Sequence, residues 1–75
     1  MIVAKNCIIN TDMGDLAVLD VVFFDNREFA FCVGGKSNFI YEIFKNGTPE
    51  PKLKRVNEIE FEVIYKIFLS NHGIA

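Results

Sequence analysis

The chain has no Trp, one His, two Cys and two Pro among its 75 residues. Each scarcity narrows the reading. A single histidine, His72, with no serine, cysteine or carboxylate beside it in local spacing, leaves no visible catalytic triad and no histidine-rich metal set. At a helix end it serves as a cation on the negative pole of the dipole. Cys7 and Cys32 lack CxxC spacing, so a zinc site is not expected, and small buried hydrophobes are the expectation for both. The opening residues MIVAKNCIIN carry neither the long apolar core nor the cleavage site of a secretory signal. Reduced thiols in a cytoplasmic protein are therefore expected. No apolar run approaches the ~18 residues that span a bilayer, so no membrane partner is expected.

Charge of one sign is also scarce. The formal net charge is −2 and the pI about 5.2, which argues against the broad basic face of a nucleic-acid binder. Lys52, Lys54 and Arg55, with Lys45 nearby, form the only basic cluster. An edge strand guarded by lysines accounts for them. The alternative is a single-stranded nucleic-acid site in which Phe24 and Phe44 stack bases and the four cations hold phosphates.

What the chain has in quantity is apolar surface. Hydrophobic residues make up 51% of it, with eight Phe. A domain of this length has little interior, so that fraction is either packed economically or shared across an interface.

Glycine and asparagine punctuation divides the chain without linkers or repeats. Ile2 to Ile9 reads as a strand, and Asn10, Thr11, Asp12, Gly14 and Asp15 as a turn. Leu16 to Phe24 and Glu28 to Val33 then form a hairpin through Asp25-Asn26-Arg27. Gly34-Gly35-Lys36-Ser37 ends like a phosphate-binding loop, but Ala30 stands where its first glycine belongs and strand formers follow. It reads as a turn into a strand from Phe39 to Phe44. Asn46-Gly47 is a further break, and Lys52 to Val56 a short extended piece. Asp12 and Asp15 begin a calcium-loop pattern that no glutamate closes.

Val56 to Ile74 alternates almost as a strand would, yet its ends argue for a helix. Asn57 and Glu60 fit a capping box, Val56 and Phe61 a hydrophobic staple, and Gly73 with Ile74 a Schellman ending over Leu69. Val63, Ile67, Ile64, Phe68, Phe61, Tyr65 and Leu69 cover roughly two-thirds of such a helix, against a stripe of about 100° on an ordinary surface helix.

The expected fold is α+β, one domain over residues 1–75: a four-stranded antiparallel meander and a C-terminal helix on one sheet face. The register that buries fewest charges groups Leu19, Val21 and Phe23 with Phe29, Phe31 and Val33, and with Phe39, Tyr41 and Ile43. The helix belongs there, through Phe61, Ile64 and Phe68. The other face then mixes Asp20, Glu28 and Glu42 with Val18, Val22, Phe24, Ile40 and Phe44.

Two apolar surfaces are left over: Ile59, Val63 and Ile67 on the helix, and Val22, Phe24, Ile40 and Phe44 on the sheet. They imply a non-enzymatic interaction module, self-associating as a homodimer or occupying a target protein, in the manner of accessory or inhibitor proteins carried by phages and mobile elements. No nucleophile with its base and no paired acid set is visible, so no catalytic residue, cofactor or metal is assigned.

Overall fold

The computed structural model describes residues 3–71. The class is α+β, with an antiparallel sheet in the order β1-β2-β3-β4-β5 and one helix after it. The strands are β1 (Ile8–Thr11), β2 (Gly14–Phe24), β3 (Arg27–Gly34), β4 (Ser37–Phe44) and β5 (Lys52–Arg55), and α1 spans Glu58–Asn71. There are thus five strands and not four. The short piece Lys-Leu-Lys-Arg, too charged to look like sheet, pairs Tyr41 to Phe44 in full register. The first strand also begins later than its composition suggests, because Asn6 sits at φ 71° and breaks the extended run before Ile8.

Tight turns set the register. Asp25 and Asn26, at φ 55° and 58°, form a two-residue turn of the left-handed kind that matches strand twist. Gly35 and Lys36 form the two-residue turn between β3 and β4, in which Gly35 alone takes a positive φ, at +59°.

A two-residue turn pairs an odd-numbered residue with an even one, so Val22 meets Phe29 and Phe31 meets Ile40. This overturns the face assignment made from charge. Phe29 and Phe31 share the helix side with Val22 and Ile40, while Tyr41 and Ile43 join Ala30 and Cys32 on the other side. A bulge between Val18 and Asp20 in β2 shifts parity again. Leu16 and Val18 therefore lie with Ala30 and Cys32, although Val22 lies with Phe29.

The sheet is curled. Tyr41 Oη donates to Asp12 Oδ1 at 3.0 Å, and Arg55 Nη1 lies 3.5 Å from Met13 Sδ. Flat strands at about 4.8 Å spacing would hold β1 and β4 roughly 14 Å apart, beyond the reach of a Tyr–Asp pair.

Curling makes one face concave and fills it with Val3, Ile9, Leu16, Val18, Ala30, Cys32, Tyr41 and Ile43. Asn46 closes one end of this interior. Its side chain mimics a strand partner, accepting from Val3 N–H at 2.7 Å and donating to Val3 O at 3.0 Å and to Glu28 Oε2 at 2.9 Å. Cys7 and Cys32 both belong to this side, but the register places Val18 between their strands. Two strand spacings of about 4.8 Å exceed the Cα separation that a disulfide tolerates. Burial pushes the Cys32 thiol up to about 11.

The helix covers the convex face. Ile64 and Phe68 are buried against Val22, Phe29, Phe31 and Ile40, and Phe61 packs beside them. The Phe68 ring stacks on Phe31 with centroids 4.0 Å apart, and Tyr65 adds a second stack on the same ring at 5.6 Å. Asn57 caps the helix, its Oδ1 accepting from Glu60 N–H at 2.8 Å. The reciprocal half of the box is replaced, since the Glu60 carboxylate is engaged by Arg27. The Gly73–Ile74 ending and His72 lie outside the described residues.

Candidate functional site: an apolar ledge beside the helix

Register places four residues in one row across the convex face, at the end of the sheet that the helix does not cover. Phe24 pairs with Arg27, Phe44 pairs with Lys52, and Arg27 stands in line with Phe44 one step beyond the Glu28–Ile43 pair. Phe24 and Phe44 are 43% and 41% exposed. They form an aromatic floor with Arg27 between them.

Arg27 ties this floor to the helix. Its Nε and Nη2 reach Glu42 at 2.9 and 2.6 Å, its Nη1 meets Glu60 at 2.7 Å, and its Cζ lies 4.9 Å from the Phe29 ring centroid. Glu42 is only 9% exposed on the helix side of the sheet. A buried carboxylate needs such a partner, and a planar guanidinium supplies two parallel bonds to it. The Arg27 bonds hold the Glu42 carboxyl below the usual carboxylate range, and the two glutamates hold the guanidinium firmly charged. Sorting residues by sign could not find this arrangement. The parity of the turn at Gly35-Lys36 puts Glu42 under the helix edge, and the side chain of Arg27 follows it.

Glu60 also fixes which way the helix is turned. Glu60, Val63 and Ile67 fall on one side of a helix at positions i, i+3 and i+7, with Ile59 next to Val63 one turn earlier. Since Glu60 meets Arg27, that side borders the Phe24–Arg27–Phe44 row. Ile59 and Val63 are 79% and 47% exposed, and Ile67 is half-buried against the helix-side core. The result is a ledge: a wall of Ile59, Val63 and Ile67 over a floor of Phe24 and Phe44.

Of the seven residues assigned from sequence to two separate surfaces, five therefore lie on this helix side or on the row that it borders. The other two do not. Val22 and Ile40 are 4% and 1% exposed beneath the helix, so they belong to the core.

The basic cluster is divided by strand alternation. Lys52 and Lys54 share the convex face with Phe44 and Glu42. Arg55 points to the concave side, where its Cζ lies 5.4 Å from the Phe39 ring centroid. Lys45 sits in the following turn at φ 56°.

The remaining sequence candidates resolve into local structure. The glycine loop is the β3–β4 turn and leads into a strand. Asp12 accepts from Tyr41, and Asp15 Oδ1 accepts from Asn10 Nδ2 at 2.8 Å. Among the described residues no cluster of three His, Cys, Asp or Glu side chains could hold a metal. Nor is any helix there long and apolar enough to cross a membrane.

Comparison with models of known protein families, with curated proteins and with solved structures finds no match to this chain.

Proposed function

We propose that this chain is a protein–protein interaction module that works by placing the ledge of Phe24, Phe44, Ile59, Val63 and Ile67 against another polypeptide, either a target or its own copy. The observation that carries this reading is convergence. Large apolar side chains exposed on β2, β4 and the helix lie on the same side of the sheet, beside an arginine already neutralised by two carboxylates. Scattered apolar residues are ordinary on any surface, whereas a contiguous patch marks a contact. An aromatic floor with a charge-satisfied arginine at its centre suits the composition of interface cores. In this reading the protein is an accessory or inhibitor that occupies a surface and does no chemistry.

The test uses two single substitutions on different elements, Phe24→Asp and Ile59→Asp. Both positions are exposed, so the thermal unfolding midpoint should stay within a few degrees of the parent. Association, followed by light scattering for the chain itself and by chemical cross-linking in cell extract for other proteins, should fall at least tenfold for both. Association that survives both substitutions in folded protein would remove the ledge as the contact.

A further inference from the structure

The curled sheet does not close. Its first and last strands face each other across a cleft of about 530 Å3, lined by Asn10, Thr11 and Asp12 on one side and Leu53, Lys54 and Arg55 on the other, with Tyr41 as its floor. We propose that this seam is a receptor for an extended, acidic polypeptide segment of another protein, which binds as a sixth strand between β1 and β5.

Main-chain direction supports this. Val56 N–H donates to Ile40 O at 3.1 Å, which turns the backbone groups of Lys54 and Lys52 toward β4. Alternation then turns those of Leu53 and Arg55 outward, into the seam. On the other rim Val18 N–H donates to Cys7 O at 2.8 Å, so Ile9 and Thr11 face β2 while Ile8 and Asn10 face the seam. Among the described residues these outward groups have no main-chain partner. The two edges cannot simply be zipped together in the sense of this sheet. Every neighbouring pair is antiparallel, so β1 and β5 run in the same direction. One inserted strand can be antiparallel to both, continuing the meander around to closure.

The rims also specify side chains. A strand in the seam turns alternate residues inward, toward Tyr41 and Leu53, which calls for apolar residues at those positions. The other residues lie along Lys52 and Lys54, while Arg55, on the inward side of the same rim, stands at the mouth of the cleft. The carboxylates that line the cleft reduce to Asp12, already bonded to Tyr41. Glutamate or aspartate at the outward positions is the complementary choice. The cleft of the seam shares no lining residue with the ledge.

The test titrates the isotopically labelled chain with a blocked peptide of alternating valine and glutamate, read by amide hydrogen exchange. Exchange at Ile8, Asn10, Leu53 and Arg55 should slow by about tenfold or more, with little change at Ile9 and Lys54, which are already bonded in the ladder. The matching valine–lysine peptide should bind at least tenfold more weakly. Leu53→Pro removes one outward N–H without touching a ladder bond, so it should abolish the slowing while the fold persists. No slowing at millimolar peptide, or slowing confined to the ledge, would overturn the proposal. Slowing that follows the protein's own concentration without peptide would assign the seam to a second copy and overturn it as well. Should Leu53→Pro fail to fold, the titration of the unaltered chain still decides.

Discussion

At the scale of single residues, Glu42 is the most consequential position. A carboxylate 9% exposed and bonded twice by Arg27 has its pKa lowered in the folded chain from an ordinary value of 4.5. The unfolded chain therefore binds protons at higher pH than the folded one. Glu42 contributes its full stabilisation above the ordinary carboxylate range and loses it as pH falls toward its lowered folded value. Thermal unfolding from pH 7 to pH 3 should show a decline that is shallower in Glu42→Gln, which has no charge to lose. An identical decline in both would assign the acid sensitivity elsewhere. Arg27 was legible in the sequence only as part of a turn. Its role depends on Glu42 and Glu60, positions 15 and 33 residues away that only the fold brings to it.

Elements differ in how much of their structure is local to their own sequence. The helix was legible because its start is local chemistry: Asn57 caps the N–H of Glu60 at 2.8 Å, and Val56 and Phe61 both join the helix-side core. Asn57→Ala should cost about 1 kcal/mol, within the usual 0.5–2 range for a lost cap, measured by chemical denaturation. A loss well below that range would mean that packing of Ile64 and Phe68 alone fixes the helix start. The fifth strand was not legible as sheet, because Lys52, Lys54 and Arg55 have no apolar alternation to read. It pairs with β4 after the loop from Lys45 to Pro51, and Leu53 is its one apolar residue, packed against the concave core. The first strand overlaps its expected range only at Ile8 and Ile9, because the backbone turn at Asn6 sets Val3 and Ala4 outside the strand, and Ile2 lies outside the described residues.

For the whole molecule, the division of apolar surface has changed. The sequence offered a helix flank and a sheet face as alternatives, and the structure removes Val22 and Ile40 from the second and sets Phe24 and Phe44 beside the first. If the ledge binds its own copy, light scattering across a concentration series should show a dimer of the 8.5 kDa chain by high micromolar concentration. A mass that remains that of a single chain leaves the ledge to a different protein. Adding salt should change this association little, since the ledge is apolar and its arginine is already paired. Binding in the seam should weaken with salt, because Lys52, Lys54 and Arg55 are exposed.

The sequence by itself determined the class of the fold, the tight turns and the start of the helix, since each depends on residues within a few positions of one another. Its apolar fraction also raised the expectation of apolar surface beyond one small core, and Phe24, Phe44, Ile59 and Val63 do stand exposed. Tertiary structure alone decided which residues share a face. That choice depends on the parity of two two-residue turns and one bulge, and a shift of a single residue exchanges the two faces of a strand. Judging register by the fewest buried charges went wrong here because a buried carboxylate is tolerated once a guanidinium is in reach. The same parity gathers five of the seven proposed contact residues into one ledge, and the curl of the sheet leaves the seam between its first and last strands open.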